Sequence, residues 1–564
     1  MAGDNAHGMI GERNKRDEMN KVASYLQSHI SGEVLVSEHI RQRFSTDASI
    51  LSVKPSLVVH PRTTNDVRKV ARFSWQLAER GHILPMTARG NGTDLTGAAI
   101  GKGVIVSFPT HLNNILEIDT KQRLVRVQPG ANFKSLQETL HTHGLFLPPA
   151  PLSYEYSTVG GAIANNSSGL RSYTYGDMSS WVDKLEVVLA NGEVIQTGPL
   201  SKREVSKKLG LPTLEGELYR AVNAILSDGV EAIEAYDKAL GATSDNVGYT
   251  LRSLKTKSGG LDLTQLFVGS QGTLGIVTEA ILKVAEYTPA STLVVAAFPN
   301  LDTALETADQ LSSLNPSALE LVDTDLLEFV QKHNSVELPR ELLVDGKIGT
   351  LLFVEAHNKS ARALARFTKQ AIKAISRQTE SYLSATDNDD RERLWSFRFV
   401  TAAFMSFDTG GKAALPILQG VSVPPAALHQ FIEEAKRMSK KHHLETAFWA
   451  HLQSGEVMAI PLGDLGKLGD RQQVFKLMDE YFRQVVRLGG SVATTGPEGR
   501  LRVPFAQLQV GGDMTALFEQ LKTAADPHQT MNPGVKTGTT SRDLVDMLRK
   551  DYTLDAFGDY LPRL

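Results

Sequence analysis

The chain has 564 residues, 41% of them apolar and 22% charged, with 60 Lys+Arg against 63 Asp+Glu and a formal charge of −3. That length and ordinary composition suit roughly three or four globular domains, and a near-neutral balance without long basic runs argues against nucleic acid as the main partner. The chain contains no cysteine, which excludes disulfides, thiolate-bound zinc or iron–sulfur clusters, a cysteine nucleophile and a thioether link to a cofactor.

Residues 1–20 are polar, carry charges of both signs and lack the apolar stretch of a secretory signal, so they read as a fraying arm. No window approaches ~18 uninterrupted apolar residues. The expectation is a cytoplasmic protein without a transmembrane segment, with peripheral membrane contact left open. A short helical pattern runs through 21–50. Ser56–His60 reads as a strand, and Thr63–Asp66 supplies helix-cap chemistry ahead of a helix over Val67–Glu79. Ile83–Leu84 begins the next strand, which makes a strand–helix–strand unit. Val104–Phe108 and Leu124–Val127 are further strands, and Phe133–His143 is a helix closed by Gly144. Asn191-Gly192 between Leu185–Ala190 and Glu193–Thr197 is a strong hairpin signal. Residues 200–260 read as mostly helical and Leu274–Val284 as a strand.

The pattern changes near residue 288. Strands at Leu293–Phe298 and Thr350–Ala356 alternate with helices at Asp302–Leu314 and Ser360–Ser376. A helix at Pro425–His442, paired strands at Phe448–His451 and Val457–Pro461, and a long helix at Arg471–Leu488 follow. This alternation suits a second α+β domain of split βαβ type. No fixed-period repeat is visible in the sequence.

Four glycine-rich segments carry the chemistry. Ala88–Gly97 follows the strand at 83–85. Gly90 and Gly92 permit a tight turn whose N–H groups suit a pyrophosphate, and Thr93 and Thr96 add hydroxyl donors. The spacing is not GxGxxG, so an NAD site is not indicated. Ser157–Gly176 packs four glycines with Ser, Thr and Asn side chains, while Val159, Ala162, Ile163 and Ala164 anchor it. Together these suggest a backbone built to wrap a large polar ligand. Asp262–Thr278 repeats glycine at 269, 272 and 275 before a strand. Asp526–Lys536 is a compact Pro/Gly turn. Singly, each has a plainer reading as a mobile loop, a packed turn or a terminal loop.

In this order and spacing the four segments, with Pro61-Arg62-Thr63 and Val127-Gln128-Pro129-Gly130, resemble the flavoproteins of the p-cresol methylhydroxylase / vanillyl-alcohol oxidase superfamily. Within it the chain looks like the branch of FAD-linked D-lactate dehydrogenases, the glycolate oxidase FAD subunit and D-2-hydroxyglutarate dehydrogenase. The resemblance runs from about Ser56 to Lys536. It implies an α+β protein with a two-part FAD-binding domain at 21–287, a ferredoxin-like cap over the flavin at 288–500, and a return to the FAD domain at 501–564. Arg89, Gly90, Asn91, Gly92, Thr93, Asp94, Thr96 and Gly97 would hold the pyrophosphate. Pro151, Ser157, Thr158, Gly160, Gly161, Ala164, Asn165, Asn166, Ser168, Gly169, Tyr175 and Gly176 would line the flavin and ribityl chain. Gly272, Gly275, Ile276 and Val277 would sit at the adenine or pyrimidine side, and Asn532 near the ring. Covalent members carry His or Cys in these loops and this chain does not, so the expected FAD is non-covalent.

The implied reaction moves a hydride from a 2-hydroxy acid to flavin N5, with electrons passed to a quinone, a carrier or another acceptor. Arg398, in a Trp-x-x-Arg pattern, would hold the substrate carboxylate. The family's metal motif, His-x-Gly-Asp-Gly-Asn-x-His, stands here as His451-Leu-Gln-Ser-Gly-Glu-Val-Met458. Its Gly-Glu-His-Gly turn stands as Gly496-Pro-Glu-Gly499. His451 matches the first ligand position, Met458 replaces the second, and Glu498 occupies the turn. A thioether does not replace imidazole for such an ion, so no metal site is expected, and His451 or Glu498 is the candidate base. The alternatives are a metal-free alcohol or polyol oxidase on the same scaffold, and a flavin-binding subunit of a larger complex with little activity of its own.

Overall fold

The computed structural model describes residues 19–552 apart from 243, 288, 335–337, 358–359, 399–407 and 410–411. The polar arm expected at 1–20 lies, but for its last two residues, outside the described residues.

The first domain is built on two sheets. In one, the strands run in the order Glu33–Leu35, Leu57–His60, Val104–Ser107 and Met86–Arg89, with the last three parallel. The helix Thr64–Glu79 crosses between Leu57–His60 and Met86–Arg89, and the Thr63 hydroxyl caps it by accepting from the Asp66 N–H. The second sheet is antiparallel, in the order Ile115–Asp119, Leu124–Val127, Ile276–Lys283, Val182–Val188 and Val194–Gln196. The predicted hairpin turn is present, with Gly192 at φ +84°. The helical reading of 200–260 holds for Lys202–Leu209, Leu214–Asp228 and Val230–Ala239 and fails after Leu240. Gly241, Gly248, Gly259 and Gly260 fall in that last stretch, where two left-handed glycines break any helix.

The cap is one antiparallel sheet of nine described strands. Its first half is a βαββαβ unit: Ser291–Phe298, helix Leu301–Ser312, Ala318–Val322, Thr350–His357, helix Ala361–Ile375 and Tyr382–Ala385. In space the fourth strand of this unit lies beside the first, the first beside the third, and the third beside the second. The second half repeats that order. Val421–Ser422, helix Leu428–Lys441, Thr446–His451, Glu456–Gly463 and helix Leu468–Arg487 are followed by Ser491, which bridges back to Ser422. The cap is therefore two split βαβ units, joined edge to edge where Glu320 pairs with His451. Ser291–Phe298 and Thr350–His357 are buried along their whole length. Helices Leu301–Ser312, Ala361–Ile375, Leu428–Lys441 and Leu468–Arg487 cover one face, and the second packs on Leu326, Val330 and Trp395 of the cap's other helices and on Leu170 of the first domain. Strands covered on both faces read as continuous apolar runs.

The chain then returns. The N–H groups of Arg500 and Leu501 both donate to the Thr96 carbonyl, at 2.9 and 3.0 Å. The helix Val503–Ala525 packs on Leu214–Asp228 and adds Met514, Phe518 and Leu521 to the first core. Met531 extends the first sheet beside Met86. No helix of the described residues is long and apolar enough to cross a membrane.

Candidate functional site: a nucleotide cleft and a charged cap seam

Three of the four glycine-rich segments, 88–97, 157–176 and 262–278, converge on one cleft. Arg89–Asp94 form one wall. Thr158, Gly160, Gly161, Ala164 and Asn165 form the second, and Gly272 with Gly275–Val277 the third. Sequence reasoning missed Ala88, Ala98, Ala99, Phe108, Pro129, Phe267, Ser270 and Gln271, which also line it. Ala88, Pro129, Phe267, Ser270 and Gln271 lay inside motifs already noted; Phe108 carried no local signal.

Small residues are required where the walls meet. A Cβ on Gly90 would lie 2.2 Å from the Thr158 hydroxyl, and one on Gly160 would lie 2.6–3.1 Å from Pro129 atoms, backbone included. Gly92 has φ +75° and approaches the Arg89 guanidinium. The Asn91 amide donates to the Tyr156 carbonyl (2.7 Å), and the Thr93 and Ser157 hydroxyls pair at 3.2 Å.

Other sequence candidates hold the walls instead of lining the cleft. Thr96 donates to Asp94 (2.7 Å), and Gly97 accepts from Arg500. Asn166 donates to Asp177 (2.9 Å) and Asn246 (2.7 Å). Asn532 is fully buried. Its amide donates to the carbonyls of Ala98 (2.9 Å) and Gln271 (2.8 Å), and its oxygen accepts from Thr87 (3.0 Å). It stitches three loops together. Pro151, Ser168, Gly169, Tyr175 and Gly176 are not among the lining residues. Gly169 packs against the Ala150 carbonyl, Gly176 ends a helical turn at φ +74°, and the Tyr175 hydroxyl meets His357 of the cap at 3.3 Å.

Behind the first wall lies a buried charge cluster. Burial, with the charge of Asp94, pushes the Asp47 carboxyl up to about 7. Burial lowers Arg89, Arg500 and Arg502 to about 10. These guanidiniums donate to carbonyls: Arg89 to Ala99 (3.2 Å), Arg500 to Pro533 (3.0 Å), Arg502 to Val492 (3.2 Å) and Gly420 (3.3 Å). Three cations face two carboxyls, both pushed upward by burial, which leaves net positive charge behind the loop.

The cap seam gathers the second cluster. Cross-strand register sets Glu320 opposite His451, and His451 opposite Glu456. Glu320 is 1% exposed and serves both flanking groups: Oε2 accepts from Arg398 Nε at 3.0 Å and Oε1 pairs with His451 Nδ1. Burial alone would lower the His451 pKa, but the charge and hydrogen bond of Glu320 outweigh it and hold the imidazole above its ordinary value. Burial pushes Glu456 up, offset only in part by His451. Nearby, Arg171 of the first domain forks onto Glu355 at 2.7 and 2.9 Å, which ties the domains together. The structure thus brings Arg398 and His451 together. It turns Glu498 elsewhere: Oε1 accepts from the Gly248 N–H (2.9 Å) and Oε2 pairs with Lys536 (3.0 Å). Glu320 and Glu355 escaped sequence reasoning because single glutamates in apolar strands carry no motif; Glu456 lay inside the His451–Met458 segment but was given no role.

Two segments match known domain families: residues 55–198 an FAD binding domain, and residues 288–535 the FAD linked oxidases, C-terminal domain. The chain is 28% identical over 517 residues to the D-2-hydroxyglutarate dehydrogenase of Pantoea ananatis, covering 89% of this chain and 50% of that one. It is 26% identical to the glycolate oxidase subunit GlcD of Bacillus subtilis, covering 85% and 88%. The chain spans about half the length of the D-2-hydroxyglutarate dehydrogenases it matches. Its fold is shared with 4-ethylphenol oxidase of Gulosibacter chungangensis (TM-score 0.67, 19% identity, 93% and 98% covered). It is shared equally with p-cresol methylhydroxylase (TM-score 0.67, 15% identity, 92% and 97% covered). Cleft and cap together define a flavoprotein with a p-cresol methylhydroxylase-type FAD-binding domain. The chain carries both an FAD binding domain and the C-terminal domain of the FAD linked oxidases.

The cleft fits FAD. It offers glycine walls that a Cβ would fill, and a buried positive cluster suited to a pyrophosphate. The donor set does not fit the divalent metal of the family pattern. The Met458 sulfur accepts from the Gly420 N–H at 3.2 Å, Glu498 is spent on Lys536, and among the described residues no group of three potential ligands is arranged around one point.

Proposed function

We propose that this FAD-linked enzyme oxidises the hydroxyl-bearing carbon of a 2-hydroxy acid and passes the electrons to a quinone or carrier. The observation that carries the reading is the junction at Glu320, where one buried carboxylate holds a guanidinium on one oxygen and an imidazole on the other. A 2-hydroxy acid presents a carboxylate and a hydroxyl on neighbouring atoms. Arg398 supplies the cation for the carboxylate and His451 reaches the hydroxyl. Glu320 fixes the spacing between them. The relatives named for D-2-hydroxyglutarate, glycolate and D-lactate support the substrate class.

Arg89–Asp94, Thr158–Gly161 and Gly272–Val277 would hold FAD, which supplies the two-electron acceptor when bound. Binding without a covalent link is supported by a cleft lining that includes no imidazole, phenol or thiol among the described residues. The packed cap seam keeps bulk water from the reacting groups: Arg398 is fully buried and His451 is 6% exposed.

Anaerobic mixing with D-lactate, glycolate and D-2-hydroxyglutarate tests the reading. Bleaching of the flavin absorbance by at least one acid is expected. Bleaching by neutral alcohols alone would replace the acid reading with an alcohol oxidase. Arg398→Met should raise the apparent KM for the acid by roughly 30-fold or more, the loss of a charge-assisted hydrogen bond.

A further inference from the structure

The cap seam holds one group that the reading above leaves unused. Glu456 opens the strand Glu456–Gly463 and is 1% exposed. Its Oε2 is buried with no hydrogen-bond partner among the described residues. Such an orphaned oxygen is unfavourable unless something absent from the free chain meets it.

Its surroundings point to what that is. Oε2 faces His451 Nε2 across 3.9 Å. That is too long for a hydrogen bond, but a hydroxyl oxygen about 2.8 Å from each atom fits between them. Glu320 grips the other ring nitrogen, so the direction of Nε2 is fixed. A chain of contacts links the pair to the cleft wall, although neither residue lines the cleft itself. The charge of Asp177 and the Thr494 hydroxyl act on Glu456, and Asp177 accepts from Asn166, next to the cleft-lining Asn165. The sequence changes at the same place: where the family pattern reads Asn and then His, this chain reads Glu456 and Met458. One segment has lost an imidazole and gained a carboxylate.

We propose that Glu456 and His451 form a metal-independent seat for the substrate hydroxyl, with Glu456 Oε2 accepting its hydrogen and His451 Nε2 meeting its oxygen. The seat rests on the hydroxy-acid reading. It makes Glu456 a substrate-contacting residue that confers preference for the hydroxylated acid over the same acid lacking the hydroxyl.

The test uses whichever acid bleaches the wild-type flavin, paired with its deoxy analogue: D-lactate with propionate, glycolate with acetate, D-2-hydroxyglutarate with glutarate. The apparent Kd of the hydroxy acid comes from saturation of the anaerobic bleaching rate, and the Ki of the analogue from competition. Glu456→Gln should lower the preference for the hydroxy acid about 10-fold or more, leaving the analogue's Ki within about twofold and the FAD content unchanged. Equal weakening of both ligands would reduce Glu456 to a structural role and overturn the seat, as would an unchanged preference. If the glutamine variant loses FAD, Glu456→Asn, the residue of the family pattern, carries the same comparison. Dialysis against EDTA should leave wild-type bleaching intact; a loss restored by zinc or manganese would overturn metal independence. If no acid bleaches the wild-type flavin, the hydroxy-acid reading itself falls, and the seat with it.

Discussion

The nucleotide cleft and the cap seam solve opposite problems. The cleft is made by removing side chains: Gly90 and Gly92 admit the Thr158 and Arg89 side chains, Gly160 admits the Pro129 backbone, and Gly272 takes a left-handed φ of +70°. The seam is made by adding charge to an apolar sheet: Glu320, His451, Glu456, Arg398 and Glu355 are all nearly buried. Each wall of the first needs only local chain geometry, its residues lying within a few positions of one another, although the three walls come from distant segments. The second needs strand register, and its parts come from distant segments: Glu320 and His451 are 131 residues apart. A buried charge is tolerated only when paired, so the seam depends on correct assembly of both split βαβ units.

That contrast predicts different failures. The largest effect should come from the cleft. Gly160→Ala places a methyl against Pro129 backbone, and the purified protein should retain less than roughly a tenth of its FAD, read from the flavin-to-protein absorbance ratio; full retention would break the steric account. Next, Glu320→Gln keeps the shape of the hub but removes its charge. FAD content should hold while kcat/KM for the hydroxy acid falls about 10- to 100-fold. Loss of FAD in this variant would blur the division between the two regions. Smaller for catalysis is Glu498→Gln, which breaks the buried pair with Lys536. Stability should fall by about 3 kcal/mol, seen in denaturant unfolding, while KM for the acid stays within about twofold. A large rise in KM would return Glu498 to the substrate site.

The smallest effect is a pH slope. The folded value of Asp47, about 7, lies above the ordinary value of 3.8. Between those values the folded chain holds a proton that the unfolded chain has released. The stability this gives is complete below about 4 and is lost as pH rises through 7. Melting temperature should therefore decline from pH 5 to pH 8, and Asp47→Asn should flatten that decline by roughly a few degrees. Parallel curves would remove Asp47 as the cause.

The two regions also differ in how legible they were. Strand and helix positions followed from apolar period and caps, as at Thr64–Glu79 and Thr350–His357. The strand Ala318–Val322, the helix Thr324–Asn334 and the 23-residue helix Val503–Ala525 were not anticipated. Gly511, at φ +71°, kinks the last of these and interrupts its period. The doubled cap unit was invisible because its halves share strand order, not residues. Asn532 and Asn166, read from the sequence as flavin-lining, take left-handed φ of +45° and +41°, and their side chains are spent on protein contacts.

The sequence by itself determined the glycine loops, and through them the flavin fold, because close backbone approach demands a missing side chain wherever it occurs and leaves a local mark. It also determined the absence of thiol chemistry and the loss of the second metal-ligand position. Only the tertiary structure decided that Glu320 joins Arg398 to His451, that Glu456 faces the same imidazole, and that Glu498 belongs to Lys536. Those are pairings across sheets and between chain ends. A glutamate in a strand has the same sequence signature whether it meets a cation, a histidine or nothing, and only register and burial distinguish them.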